Sequence, residues 1–343
     1  MPTDRVTSID VAKEAGVSQS AVSRVFSQGG SASQATIDKV HAAAEKLGYR
    51  PNILARSLIT GKSRIIGVIV AYLENYFYPD AMEKLSRNLQ EQGYHVLVFL
   101  ASNTQSDIDD VVREILDYQV DGIIIASVSL SSSLSEQCRN ANIPVVMFNR
   151  VDDSPYASAV TSDNYKGGFE AACHLAECGH QKIAYIAGWP GASTQRDREA
   201  GFLDGLAHHG LSLFARAIGN YDTDIAKEAA RQLFDVTDPA KRPDAVFVGN
   251  DHMAFCVMDV IRFELGLRVP DDVSVMGYDD ASPASWPAYS LTTMRQRTNL
   301  MVEACIEILI NQIETGISEP EVTIIESPLI IRNSTKQIDR SVT

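Results

Sequence analysis

Apolar residues recur in two different rhythms along this 343-residue chain. Over the first fifty residues they come at helical spacing. Thr7 and Ser8 can cap a helix running to about Ala15, because their oxygens satisfy unbonded N–H groups in its first turn. Ile9, Val11, Ala12 and Ala15 are expected to form its apolar face. Gly16 supplies the turn that follows, since glycine alone takes φ > 0 without steric cost. Ser18 then caps a second helix, Gln19 to about Ser27, whose Ala21, Val22 and Val25 pack back on the first. Ser33 opens a third helix that reaches Leu47. Two short helices joined by a glycine turn form the helix-turn-helix plan, which places the N-terminal end of its second helix in the major groove of DNA. The polar residues there are Gln19, Ser20, Ser23 and Arg24, side chains able to reach base edges or phosphates.

Arg50-Pro51 breaks the third helix, because a residue before proline is pushed out of the α region. Asn52 can cap a short segment from Ile53 to Ile59, and Thr60-Gly61-Lys62-Ser63 ends it. So short a helix is marginal in water by itself. From Arg64 the rhythm changes to continuous β-branched runs separated by amphipathic stretches. Strands are expected at 65–72, 95–100, 121–127 and 144–149, with helices at 81–92, 107–118 and 131–140 between them. The same alternation returns with strands at 182–188, 215–220, 244–250 and 273–279 and helices at 196–209, 223–234 and 253–265. Such a pattern implies parallel sheets covered on both faces, here two doubly wound, Rossmann-like α/β lobes. A last group comprises LTTM at 291–294, a helix at 298–314 and strands at 322–325 and 328–331.

Composition narrows the function classes. The net charge of −14 argues against a nucleic-acid binder until it is divided along the chain. Residues 1–62 hold eight Lys and Arg against five Asp and Glu, a net +3; the rest hold 22 against 39, a net −17. An acidic body that repels phosphate leaves the N-terminal face as the attractive one. Five cysteines at irregular spacings suggest neither a zinc site nor a redox pair, and no metal is expected. No run approaches the roughly 18 apolar residues of a membrane span, and the N-terminus has no apolar signal region, so a cytoplasmic protein without membrane contact is expected. No G-x-G-x-x-G or phosphate loop follows a strand, so no nucleotide cofactor is expected. No nucleophile–base pair supports an enzyme.

The segments VTSIDVAKEAGVSQSAVSRV and YRPNILARSL match, nearly position for position, the N-terminal pattern of the LacI/GalR family of bacterial transcription regulators, and the chain resembles that family from residue 6 to about 332. The resemblance implies an N-terminal all-α helix-turn-helix headpiece (1–50), a hinge helix and linker (51–63) and a two-lobed α/β periplasmic-binding-protein-like effector and dimerisation domain (64–332). Its first lobe would comprise 64–162 and 294–332, its second 163–293, with a polar tail at 333–343. The DNA-contacting set it implies is Thr7, Ser8, Ser18, Gln19, Ser20, Ser23 and Arg24, joined by Asn52, Ala55 and Leu58 of the hinge. Leu58 would be the apolar wedge between base steps, which costs a few kcal/mol of unstacking and is offset by the contacts a bend permits.

In open α/β sheets a ligand lies outside the carboxyl ends of the strands. Those ends carry Asn75 to Tyr78, Ala126 and Ser127, Asn149 and Arg150 in the first lobe; the second offers Arg196, Arg198, Tyr221, Asn250, Asp251 and Tyr278 to Asp280. Asn, Asp and Arg interleaved with aromatic rings suit a polyhydroxylated ligand. The resemblance places the effector arginine of R-x-A-G-[FW] at Arg198, the strand-end aspartate of GYDD at Asp279, the N-D-x-M-A motif at Asn250 and the stacking aromatic at Tyr221. The full candidate set is Phe77, Tyr78, Ser127, Asn149, Arg198, Tyr221, Asn250, Asp279 and Gln296. Asn149 stands where sugar-responsive members often carry Asp. Purine-responsive members carry a further arginine six residues before the shared one, where this chain has Ala192. The expectation is therefore a homodimeric repressor released from a near-palindromic operator by an uncharged mono- or disaccharide. The same fold could instead use its ligand as a corepressor, or take an effector that is not a sugar. A transport solute-binding protein would need an export signal and no helix-turn-helix.

Overall fold

The computed structural model describes residues 6–26, 31–50, 62–71, 73–101, 105–128, 131–151, 156–316 and 319–337. The expected hinge, with Asn52, Ala55 and Leu58, lies outside the described residues. The chain divides into two compact units, Met1–Ser63 and Arg64–Thr343.

The first unit is built on α1 (Ser8–Ala15), α2 (Gln19–Phe26) and α3 (Gln34–Leu47). A capping box starts α1: the Thr7 hydroxyl accepts from Asp10 N, while the Asp10 carboxylate accepts from Thr7 N at 2.9 Å and from its hydroxyl at 2.7 Å. Gly16 sits at φ 66°, as the turn requires, and Ser18 Oγ accepts from Ala21 N at 3.2 Å. Val11, Ala12, Val22, Val40, Ala43 and Ala44 form the core, and Phe26 meets the rings of His41 and Tyr49 at its rim. Ile9 does not join it. It is 61% exposed, because residues two apart on a helix point to different sides and Val11 faces inward.

In the second unit, β1 (Ile65–Val70), α4 (Phe77–Glu91), β2 (His95–Leu100), α5 (Gln105–Asp117), β3 (Gly122–Ala126), α6 (Ser132–Asn140), β4 (Val145–Phe148) and β5 (Ser158–Ser162) follow one another. The chain then passes through α7 (Asn164–Glu177) to β6 (Ile183–Ala187), α8 (Ser193–His208), β7 (Ala215–Ile218), α9 (Thr223–Phe234), β8 (Ala245–Val248), α10 (Asp251–Asp259) and β9 (Ser274–Asp279). A π-helical turn, Val260–Glu264, continues α10. Last come β10 (Thr292–Arg295), α11 (Thr298–Thr315), β11 (Val322–Ile325) and β12 (Leu329–Ile330). One sheet runs β11-β5-β4-β3-β1-β2 and the other β12-β10-β9-β8-β6-β7. Among the described residues every pairing is parallel except that of β12 with β10. Strands such as IIGVIV and IAYIA are buried at every position because helices cover both faces, with one apolar core on each side of each sheet.

Several expected boundaries move. Helix α4 starts at Phe77 instead of Ala81, with Pro79 in its first turn where a missing N–H is harmless. Helix α8 starts at Ser193 instead of Arg196, and α10 at Asp251 instead of Met253. The polar strand β5 and the glycine-containing α7 were not expected at all. After residue 293, α11 lays its apolar face in the core of the first sheet and β11 pairs with β5 of that sheet. β10 and β12, however, pair within the second sheet, so 294–332 is shared between the lobes. The stretch expected as a polar tail is anchored at Ser334 and Thr335, both buried: Ser334 Oγ donates to Val275 O at 2.6 Å and accepts from Thr292 N at 2.7 Å. Its hydroxyl satisfies backbone that an apolar side chain would leave unpaired.

Candidate functional site

Two surfaces carry chemistry, one in each unit. On the first, Gln19, Ser20, Ser23 and Arg24 are all exposed along α2 while Val22 is turned inward. The helix keeps its apolar side for α1 and α3 and presents the polar side outward. Arg24 Nε donates to Ser20 O at 3.3 Å, and Gln19 Nε2 donates to Ser8 Oγ at 3.2 Å across the turn. Thr7 and Ser18 are also exposed and Ser8 is half-buried, so this candidate set lies at or beside the helix ends that a groove-binding motif offers.

The second surface is the cleft between the sheets of the second unit. Helices α7 and α8 cross with their backbones in direct contact. A Cβ on Gly168 would run into the Arg198 carbonyl, and one on Gly201 into the Tyr165 carbonyl. This approach brings Asn164 at the start of α7 to Arg198 on α8. Arg198 is 2% exposed: its Nε donates to Asn164 Oδ1 at 2.8 Å and its Nη1 to Gly249 O at 2.7 Å. The guanidinium stacks 3.6 Å from the centre of the Tyr278 ring and stands 3.9 Å from Asp279. Asp279, at the end of β9 with φ 128°, accepts from Gln296 Nε2 at 2.7 Å, and Gln296 Oε1 accepts from Ser162 Oγ at 2.7 Å. Burial pushes the Asp279 carboxyl up from the ordinary carboxylate range, against the pull of Arg198. Behind it Asp251, wholly buried, accepts from Thr293 Oγ1 at 2.6 Å and Ala281 N at 2.8 Å; burial first, then the charge of Asp279, raises its carboxyl too.

A narrow cavity remains between the lobes, lined by Tyr78, Asn149, Arg150, Thr194, Arg198, Tyr221, Asn250 and Asp279, with Glu74, Asn75 and His252. Ser127, Asn149, Asn220, Tyr221, Asp279 and Asp280 all have φ between 57° and 128°. Left-handed backbone outside glycine persists where surrounding structure enforces it, and it clusters at ligand clamps. Gly188 makes room for Tyr221, because a Cβ there would strike the ring.

Of the candidate effector residues, the structure brings Tyr78, Asn149, Arg198, Tyr221, Asn250 and Asp279 together on the cavity wall. The other three stand behind it. Phe77 is buried in the first-lobe core against the Phe148 ring, 6.2 Å between centres. The Ser127 hydroxyl accepts from Ala71 N at 3.0 Å, and Gln296 braces Asp279. Arg196 points outward, exposed. Asn164, Thr194 and His252 were missed because they enter from helix starts, which strand ends do not mark. The cap signals Asp163 and Asn250 before α7 and α10 could have revealed two of them.

The family described as bacterial regulatory proteins, lacI family, matches residues 8–52, and the periplasmic binding protein-like domain matches residues 172–335. A protein named HTH-type transcriptional repressor PurR from Photobacterium profundum is 31% identical over 336 residues, covering 96% of this chain and 98% of that protein. The chain belongs to the LacI family. The repressor of the same name from Vibrio parahaemolyticus is 32% identical over 333 residues, again covering 96% of this chain and 98% of the relative. Among solved structures, the Lac repressor dimer bound to operator and the anti-inducer ONPF superposes with a TM-score of 0.86 at 28% identity, over 97% of this chain and all of that one. The complex of the transcriptional regulator CelR with cellobiose gives 0.72 at 28% identity, over 96% of this chain and all of that one. The LacI-family headpiece and the periplasmic-binding-protein-like fold are thus both present, and the protein is a DNA-binding transcriptional repressor of that family.

Proposed function

We propose that this repressor works in the cytoplasm as a homodimer, and that a small carbohydrate bound between its lobes releases it from a near-palindromic operator. One observation carries the ligand class: planar amide and guanidinium groups of Asn149, Arg150 and Arg198 ring a small cavity together with the Tyr78 and Tyr221 rings. Fixed donors and acceptors of this kind match vicinal hydroxyls, and aromatic faces cover the C–H side of a sugar. The similar CelR structure holds cellobiose. The relatives named PurR raise a purine as the competing ligand. Ala192, buried at the start of α8, leaves this chain without the arginine that the family pattern associates with purines.

On the DNA side, Gln19, Ser20 and Arg24 read bases in each half-site, Thr7, Ser8, Ser18 and Ser23 hold the backbone, and Asn52, Ala55 and Leu58 act in the hinge. Dimerisation is supported by the Lac repressor dimer on its operator. It also accounts for Val98 and Leu100 on edge strand β2 and Ile218 on edge strand β7, all exposed. Ligand binding alters the lobe closure and so the spacing of the two hinges. Because coupling is reciprocal, a ligand that weakens operator binding also binds the DNA-bound state less tightly.

The test is operator binding at fixed salt, titrated against neutral and acidic mono- and disaccharides with purines as controls; salt is fixed because the phosphate contribution alone moves affinity by orders of magnitude. Release by a sugar supports the inducible repressor. Tightening by a sugar replaces it with corepression, and a response to purines alone refutes the carbohydrate ligand.

A further inference from the structure

Two buried arginines, Arg150 and Arg198, meet one buried carboxylate, Asp279, on the cavity wall. Arg198 has Asp279 beside it, and Arg150 draws the same carboxyl down from further off. Arg150 enters from the end of β4 in the opposite lobe, 3% exposed, and among the described residues it forms no ion pair. Its Nη1 donates to Thr194 Oγ1 across the cleft, its guanidinium carbon stands 5.9 Å from the centre of the Tyr221 ring, and its Nε has no hydrogen-bond partner. Two neighbours on the same cavity are equally unsatisfied: Asn149 Oδ1 and the Tyr221 hydroxyl. Glu74 at the rim is exposed and stays solvated.

A buried cation whose only buried counter-charge is shared and beyond ion-pair distance is a costly arrangement, and so is each buried polar atom without a partner. The three unsatisfied groups together describe what is missing: an anionic acceptor for Arg150, a hydroxyl donor for Asn149 Oδ1 and a polar partner for the Tyr221 hydroxyl. We propose that the effector is an acidic sugar, a phosphate ester or a carboxylate, with its anionic group on Arg150 and its hydroxyls on Asn149 and Tyr221. This deepens the carbohydrate reading and rests on it. It departs from the uncharged ligand expected from Ala192, since the second cation comes from the first lobe and not from position 192.

The experiment is calorimetric titration of the full-length protein with matched ligands: glucose, glucose 6-phosphate and gluconate, then fructose, fructose 1-phosphate and fructose 6-phosphate, with inorganic phosphate alone as a further probe. Wild type, Arg150→Gln and Arg150→Lys are compared, each first shown to melt cooperatively. An acidic member is expected to bind at least about tenfold tighter than its neutral parent, the scale of a charge-assisted hydrogen bond. Arg150→Gln then weakens the acidic ligand about tenfold to a hundredfold and the neutral parent by much less. Arg150→Lys keeps part of the preference, because it retains the charge but loses the planar fork. The phosphate and carboxylate arms identify which acid is recognised. Equal loss for both ligand types in Arg150→Gln overturns the proposal and makes Arg150 a latch to Thr194. If only neutral sugars bind and act on the operator complex, the carbohydrate reading stands and the acidic one falls. If no sugar of either kind binds, both fall.

Discussion

Removing Arg198 tests whether the cleft is an electrostatic unit. Arg198→Ala takes away two buried hydrogen bonds, to Asn164 and Gly249, and the cation over Tyr278, and it strands Asp279 in a water-excluded place. Breaking a buried pair by deleting one partner costs about 3–5 kcal/mol, chiefly through the charge left behind. If that charge dominates, the loss depends on pH. The Asp279 carboxyl already stands above its ordinary range through burial, and Arg198 draws it down; without Arg198 it rises further. For a carboxyl raised in the folded state, stability falls as pH climbs from the unfolded pKa to the folded one. The penalty of Arg198→Ala should therefore be larger at pH 8 than at pH 5. Adding Asp279→Asn should recover a good part of it at pH 8. Trp189 and Trp286 both belong to the second lobe, so tryptophan fluorescence in urea reports on the lobe that carries the change. A multi-lobed chain is not two-state overall, which makes this local signal the right one. An equal loss at both pH values, or further destabilisation on adding Asp279→Asn, would refute the reasoning.

Three further outcomes can be checked separately. Thr7→Ala dismantles the capping box of α1 and should cost the headpiece about 1 kcal/mol, visible as faster amide exchange in α1; unchanged exchange contradicts the assignment. Gly201→Ala forces a Cβ into the Tyr165 backbone carbonyl, so it should cost about 1–3 kcal/mol or more and loosen the second lobe in the same fluorescence assay, whereas a neutral result would show that α7 can retreat. Gln19→Ala should weaken specific operator binding by about 1–3 kcal/mol and relax preference at one base position, with non-specific binding nearly unchanged. A uniform loss across sequences would make Gln19 a phosphate contact instead.

Sequence made the architecture legible where one signal dominated. IIGVIV and GIIIA can hardly be anything but buried strands, and TDIAKEAARQLF is framed by Asp222 as its cap and an apolar face. The segment from 158 to 177 hid because SAVTS is short and polar and the following helix opens NYKGG. Those glycines lower helix propensity, yet one of them, Gly168, is what lets two backbones touch. Tertiary contact overrode local preference there. In the cleft, the strand-end rule found eight wall residues. It could not separate Phe77 from Tyr78, neighbours on α4 of which one turns to the core and the other to the cavity. Nor could it weigh Arg150: a strand-end arginine with water beside it and one shut between two lobes read identically in one dimension.

The return of the last strands to both sheets also fixes an order of events during synthesis. The headpiece has all its core residues within the first fifty and can fold as it leaves the ribosome. Neither lobe can. The first sheet waits for β11 at residues 322–325, and the second for β12 and for Ser334, which bridges Val275 and Thr292. A chain cut short by about two dozen residues would lose a strand from both sheets at once. It would carry a competent headpiece on two incomplete sheets, their apolar faces open to aggregation.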